Sequence, residues 1–321
     1  MALTVRAFYT DHFVLPLPEG HRFPMIKYAR VRERCLAEGI LRESDLEVPP
    51  AAAWDELMLV HDRDYVERVR EGRLEYLEQR RIGFPWSDGM VERSRRSAGA
   101  TICAGRVALG EAQAGGWGVA VNLAGGNPSR LPGPRRGLLR LFNDAAVAIR
   151  VLQREGAIRR AAVIDCDVHQ GNGTAAVFAS DPSVFTFSIH GARNFPFRKE
   201  RSSLDVELPD GAGDDAFLAA LELHVPRVLA EFGPELVICL AGADPFHQDR
   251  FGRLAMTKDG LGERDRLVLS ACRDAGVPMA VAMAGGYARD TEDTVDIHVR
   301  TIRTAAAMHA ERAVSAEAGT A

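Results

Sequence analysis

The segment Asp165-Cys166-Asp167-Val168-His169 ends a short apolar run, Ala161-Ala162-Val163-Ile164, and leads into Gln170-Gly171-Asn172-Gly173-Thr174. In an extended backbone, side chains at alternate positions point the same way, so Asp165, Asp167 and His169 share one face. A carboxylate and an imidazole two residues apart can grip one cation, which makes Asp167 and His169 half of a metal site. The glycines that follow let the chain turn sharply out of the strand, leaving these groups at its carboxyl end, where open α/β sheets keep their sites. The plainer alternative is a strand that ends in a polar turn.

The elements that must position these residues recur along the chain. Gly118 to Leu123 runs into Ala124-Gly-Gly-Asn127, Val184 to Ile189 into His190-Gly191, Leu236 to Leu240 into Ala241-Gly-Ala-Asp244, and Pro278 to Met283 into Ala284-Gly-Gly-Tyr287. Apolar runs without polar alternation fit strands buried on both faces, and they alternate with helical patterns at Asn143 to Glu155, Asp214 to Phe232 and Asp259 to Ala275. A parallel, doubly wound sheet follows. Right-handed crossovers place every strand's carboxyl end on one rim, so Asp167, His169, Asp244 and Tyr287 are expected to converge.

The 321 residues carry no Pro/Ser-rich linker, low-complexity tract or internal repeat, so the expectation is one domain over residues 1–321 with a disordered tail from 313 to 321. A formal charge of -4 gives no global attraction to nucleic acid or an anionic membrane surface, and no apolar run is long enough to span a membrane. The cluster Arg93, Arg95 and Arg96 reads as a solvated helix face. Five scattered cysteines, odd in number, suit thiols of a reducing compartment, and Met1 to Tyr9 shows no secretory pattern, which points to the cytoplasm.

The chain resembles the histone deacetylase family, in particular its class IV-like and bacterial amidohydrolase members, from about Phe13 to Thr304. The motifs that carry the resemblance are His21-Arg-Phe-Pro-Met25, Val60-His-Asp62 with Tyr65, Arg81 to Trp86, Asn122-Leu-Ala-Gly-Gly126 and Phe142-Asn-Asp144. They continue with Asp165 to Thr174, Ser188-Ile-His-Gly191, Asn194-Phe-Pro196, Gly242-Ala-Asp244 and Gly285-Gly-Tyr287. The resemblance implies an arginase/deacetylase-like three-layer α/β domain with a central, mostly parallel, eight-stranded sheet. It makes Asp167, His169 and Asp244 ligands of a catalytic Zn²⁺ or Fe²⁺, and Tyr287 the donor that stabilises a tetrahedral oxyanion. It also gives Asp165 and Ser188 a share in a structural K⁺ site, and makes Phe195 one aromatic wall of an acyl-lysine channel.

The resemblance breaks at one place. Family members carry two adjacent histidines after the first rim Gly-Gly, one of them a general base, whereas this chain reads Gly125-Gly126-Asn127-Pro128-Ser129-Arg130. The following segment is one residue longer, rich in Arg and Pro, and has Leu139 where relatives place the second aromatic wall. Neither Pro128 nor Ser129 can replace an imidazole near neutral pH, and loss of a positioned general base costs about 10²- to 10⁴-fold in rate. His190, on the adjacent rim, is the candidate surrogate base.

Three functional classes compete. The first is a slow metal-dependent amidohydrolase acting on acyl-lysine or a small acylated amine. The second is a metal-binding pseudoenzyme serving as an acyl-amine binding or regulatory module. The third is different metal-dependent chemistry on a carbonyl substrate. A dehydrogenase reading fails because no Gly-x-Gly-x-x-Gly turn follows any strand.

Overall fold

The computed structural model describes residues 5–15, 23–125 and 141–318. Eight strands, β1 (Arg6–Phe8), β2 (Leu46–Glu47), β3 (Val119–Asn122), β4 (Ala161–Asp165), β5 (Val184–Gly191), β6 (Leu204–Leu208), β7 (Leu236–Ala241) and β8 (Met279–Met283), form one sheet. The order is β2-β1-β3-β8-β7-β4-β5-β6, and every pairing is parallel. Ten α-helices among the described residues surround it: α1 (Ile26–Ala37), α2 (Trp54–Leu57), α3 (Arg63–Arg70), α4 (Tyr76–Ile82), α5 (Asp88–Gln113), α6 (Asp144–Arg154), α7 (Asn172–Val177), α8 (Asp214–Arg227), α9 (Lys258–Asp274) and α10 (Thr291–Ala318).

The sheet is parallel because helical crossovers separate the strands along the chain, except between β5 and β6, which a loop joins. β3, β4, β7 and β8 are buried at every residue, as continuous apolar sequences require when helices cover both faces. α5 packs on β1, β3, β7 and β8 and pairs with α6, while α1, α10, α9 and α8 pack in succession as the other layer. The expected helices appear at α6, α8 and α9. α8 carries Pro226 inside it, and the chain continues from its end as a π turn over Val228–Phe232.

Two differences from the sequence reading have physical causes. β1, β2 and β6 are short or partly exposed strands toward the sheet's edges and lack the long apolar run that marks the central ones. α10 runs to Ala318, the last described residue. Arg93, Arg95 and Arg96 are not a solvated face. Arg93 is buried, donates to Thr10 O at 3.0 Å and stacks on Tyr28. Arg95 stacks on Trp54 and Arg96 on Phe13, and they donate to the carbonyls of Ala52 and Pro49. Planar guanidinium groups pack on aromatic faces while their N–H groups satisfy backbone acceptors, which a count of charge cannot reveal.

All five cysteines are free thiols, and no helix among the described residues is long and apolar enough to cross a membrane.

Candidate metal centre

The strand order sets β8, β7 and β4 side by side, so the turns after them meet on one rim. Asp167 and His169 follow β4, Asp244 follows β7 and Tyr287 follows β8. One ligand atom from each of Asp167, His169 and Asp244 lies within 4.8 Å of the others. His169 Nδ1 is 3.0 Å from Asp167 Oδ1 and 3.2 Å from Asp244 Oδ2. The other carboxylate oxygens are held by backbone donors: Val168 N to Asp244 Oδ1 and Gly285 N to Asp167 Oδ2, both 2.9 Å.

The electrostatics of this cluster ask for a cation. Burial, then the neighbouring charge of Asp167, pushes the Asp244 carboxyl up to about 7. Burial alone would lower His169, but its bonds to Asp167 and Asp244 outweigh that and raise the imidazole to about 10. Burial likewise works against ionised Asp167, yet the His169 bond and charge, with the amides of His169 and Gly285, hold it below the ordinary carboxylate range. With a metal bound, the imidazole nitrogen would be unprotonated and the dication would balance the two buried acids. Two carboxylate oxygens and one imidazole nitrogen, the three protein ligands found among the described residues, fit a divalent metal of the zinc class.

Tyr287 is placed by a turn that only glycine permits. Gly286 has φ +131°, and a Cβ there would stand 2.5 Å from Thr294 Cγ2; at Gly285 a Cβ would stand 1.8 Å from Asp244 Oδ2. The Tyr287 backbone N–H donates to Asp249 Oδ2 at 2.6 Å, and its ring meets Phe251 and Phe23 at 5.1 and 6.0 Å. Lys27 Nζ donates to Gly286 O at 3.1 Å and lies 5.6 Å from the Tyr287 ring centre. The roles of Asp249 and Lys27 escaped the sequence reading, because nothing local to either marks a partner so far along the chain.

Asp165 and Ser188 are register partners on β4 and β5. Asp165 Oδ1 accepts from Asp167 N at 3.1 Å, while its Oδ2 is buried with no hydrogen-bond partner among the described residues. Burial and then the charge of Asp167 raise the Asp165 carboxyl well above the usual range. Ser188 Oγ accepts from Gly171 N at 3.3 Å and lies 3.0 Å from His190 Nδ1. An orphaned buried carboxylate oxygen beside a hydroxyl is compatible with a monovalent cation there. His190 is fully buried on β5, its Nε2 has no hydrogen-bond partner among the described residues, and desolvation lowers its imidazole to about 4.

Phe195 is half-buried in the loop after β5 and meets the exposed Phe197 edge-on at 6.3 Å. That loop is tied to the Asp249 turn, since Asn194 Nδ2 donates to Phe251 O at 2.8 Å and Arg253 N donates to Asn194 Oδ1 at 3.1 Å. Phe195 and Tyr287 therefore sit on segments stitched to one another.

Pro128, Ser129 and Leu139, like His21 and Arg22, lie outside the described residues. Both ends of the rim segment that contains the first three are firmly held. On entry, Asn122 Nδ2 donates to Thr101 Oγ1 at 2.8 Å and Asn122 Oδ1 accepts from Ala124 N at 2.8 Å. On exit, Tyr65 donates its hydroxyl to Leu141 O at 3.0 Å, and Asn143 N donates to His61 Nε2 at 3.0 Å. Asn143 Oδ1 then caps α6 by accepting from Ala146 N at 2.9 Å.

Comparison with known proteins agrees with this geometry. The family model for the histone deacetylase domain matches residues 21–302. An uncharacterised protein of Picosynechococcus is 44% identical over 292 residues, 90% of this chain and 94% of its own length. A histone deacetylase-like amidohydrolase of Pseudomonas aeruginosa is 29% identical over 85% of this chain and 74% of its own. Histone deacetylase 2 of Arabidopsis thaliana is 27% identical over 84% and 70%. Among solved structures, a histone deacetylase homologue from Aquifex aeolicus superposes with a TM-score of 0.75 at 22% identity, over 94% of this chain and 83% of that one.

Proposed function

Because this chain belongs to the histone deacetylase family, we propose that it is a zinc-dependent deacetylase or amidohydrolase that removes an acyl group from acyl-lysine or a small acylated amine. The observation that carries this reading is the meeting of Asp167, His169 and Asp244 within 4.8 Å at adjoining strand ends. A divalent metal held there, Zn²⁺ or alternatively Fe²⁺, supplies a Lewis acid that polarises an amide carbonyl and acidifies water. Tyr287, on the adjoining turn, donates its phenol to the oxygen that gains charge as the carbonyl is attacked. Phe195 lines the path of the acyl chain. Asp165 and Ser188 hold a structural K⁺ beneath the first strand end. The protein works in the cytoplasm, on an acylated amine rather than on nucleic acid or at a membrane.

Without the two rim histidines the turnover is slow, since Pro128 and Ser129 cannot take a proton from water. A panel of fluorogenic acyl-lysines and acylated polyamines tests the reading. Metal-dependent release from at least one of them supports it, and none above the metal-stripped blank refutes it.

The departure at the rim has a second reading with an observation of its own. Asn127-Pro128-Ser129-Arg130 can be encoded as AAY-CCN-TCN-CGN, and that stretch read from the second nucleotide, AYC-CNT-CNC, admits Thr-His-His. Gly137-Leu138-Leu139-Arg140, shifted in the same way, admits Gly-Phe-Cys. On this reading both histidines and the second aromatic wall would lie one nucleotide out of frame. A frame that gains one nucleotide on entering this segment and two more before Phe142 would also account for its extra residue. Tryptic peptides of the protein isolated from its source distinguish the two readings: one that ends at Arg130 supports replacement, and one that contains adjacent histidines supports the shifted frame.

A further inference from the structure

Beneath the metal centre, three helices send buried side chains to glycine carbonyls of the turns that carry Asp244 and Tyr287. Arg264 of α9 donates from Nη1 to Gly242 O, His298 of α10 places Nε2 3.3 Å from Gly285 O, and Lys27 of α1 donates to Gly286 O at 3.1 Å. Arg264 is the most demanding of these to keep. Its side chain is 1% exposed, its Nε and Nη2 donate to Asp265 Oδ1 at 2.9 and 2.7 Å, and Asp265 Oδ2 accepts from Thr301 Oγ1 at 2.5 Å.

A buried ion pair is weak evidence for stability, because desolvating two charges offsets most of their attraction and apolar replacements are often as stable. The other residues that α9 buries include Leu261, Val268, Leu269 and Cys272, so an apolar side chain at 264 would suit the packing around it. What an apolar side chain cannot do is donate to Gly242 O. That carbonyl belongs to the turn whose next residues, Ala243 and Asp244, deliver the ligand carboxylate to the rim.

We propose that Arg264, braced by Asp265 and Thr301, is a positioning residue for Asp244: by clamping Gly242 O it fixes the turn that aims the carboxylate at Asp167 and His169. This rests on the metal-site reading, yet it has a consequence in the metal-free protein. Val168 N donates to Asp244 Oδ1 at 2.9 Å, so a loosened turn exposes the Val168 amide.

The test is amide hydrogen exchange on the metal-free full-length chain, joined to Zn²⁺ titration, for wild type and Arg264→Met/Asp265→Leu. The apolar pair keeps the volume filled while removing the clamp. Exchange at Val168 should be at least tenfold faster with the β4 and β7 amides unchanged, and Zn²⁺ affinity should fall by about 10- to 100-fold, the usual effect of losing a group that orients a ligand. Wild-type exchange and affinity in a folded variant overturn the proposal. So does faster exchange spread evenly over β4 and β7, which marks a purely structural pair. Should the double variant not fold, Arg264→Lys decides, since one ammonium cannot serve Asp265 and Gly242 O in the same fork; unchanged Val168 exchange and affinity there overturn it too. A wild type that binds no Zn²⁺ counts against the metal reading, while Val168 exchange still decides the role of Arg264.

Discussion

Gly285 donates its backbone N–H to Asp167 Oδ2 across 2.9 Å, tying the turn that carries Tyr287 to the strand end that carries two of the metal-site residues. The same glycine leaves no room for a side chain, since a Cβ there would stand 1.8 Å from Asp244 Oδ2 and 2.7 Å from Asp167 Oδ2. Gly285→Ala should therefore displace both carboxylates, lowering Zn²⁺ affinity at least tenfold. It should also cost about 1–3 kcal/mol of stability, as overpacked sites do. Calorimetric titration and thermal melts measure the two, and wild-type values for both contradict the packing described.

His61 gives a pH signature away from the metal centre. Its Nε2 accepts from Asn143 N, which requires the neutral ring, and burial lowers the imidazole from 6.5 to about 4. A lowered pKa means a contribution to stability that is fully present above pH 6.5 and fades as pH falls toward 4. His61→Leu leaves the Asn143 N–H without its acceptor and should cost about 1–3 kcal/mol at pH 8. The gap between wild type and variant should then close between pH 6.5 and 4. Denaturant titrations at a series of pH values check this, and a gap independent of pH rules out a neutral buried His61.

Much of this was legible in the sequence, for reasons tied to particular elements. β3, β4, β5, β7 and β8 announce themselves because strands covered on both faces must be apolar throughout, whereas two-residue β2 has no pattern to read. Asp167 and His169 draw the eye by their alternate spacing, although they sit in the bend after β4 and not on an extended strand, so the shared face expected of Asp165, Asp167 and His169 is not a strand face. Asp244 and Tyr287 become part of the same site only through the parallel topology and the family resemblance. Asp249, Lys27, His298 and Arg264 were not legible, because each acts on a backbone group far along the chain; Arg264 is meaningful only beside Gly242 O.

Tyr287 separates an enzyme from a binding module. If its phenol stabilises charge that exists only in the transition state, Tyr287→Phe lowers kcat and kcat/KM together by roughly 10²-fold or more and leaves metal content unchanged. A binding module would lose only the worth of one hydrogen bond, about 0.5–1.5 kcal/mol, in affinity for a hydroxamate. Equal residual activity in wild type and variant makes the binding module the better account.

Restoring imidazoles at the rim tests the explanation for slow turnover. Pro128→His with Ser129→His should raise acetyl-lysine hydrolysis at least tenfold, a modest share of a general base's factor. A wild type already as fast as that variant would place the base elsewhere.

The central claim is that Asp167, His169 and Asp244 hold the metal on which acyl-amine hydrolysis depends, and the most direct measurement is activity during metal reconstitution. Wild-type protein stripped by chelator should be inactive on its best acyl substrate and regain activity as Zn²⁺ or Fe²⁺ approaches one equivalent. Asp244→Asn, titrated in parallel, should bind the metal poorly and stay inactive. Full activity in stripped wild type, or equal recovery in Asp244→Asn, would contradict the account.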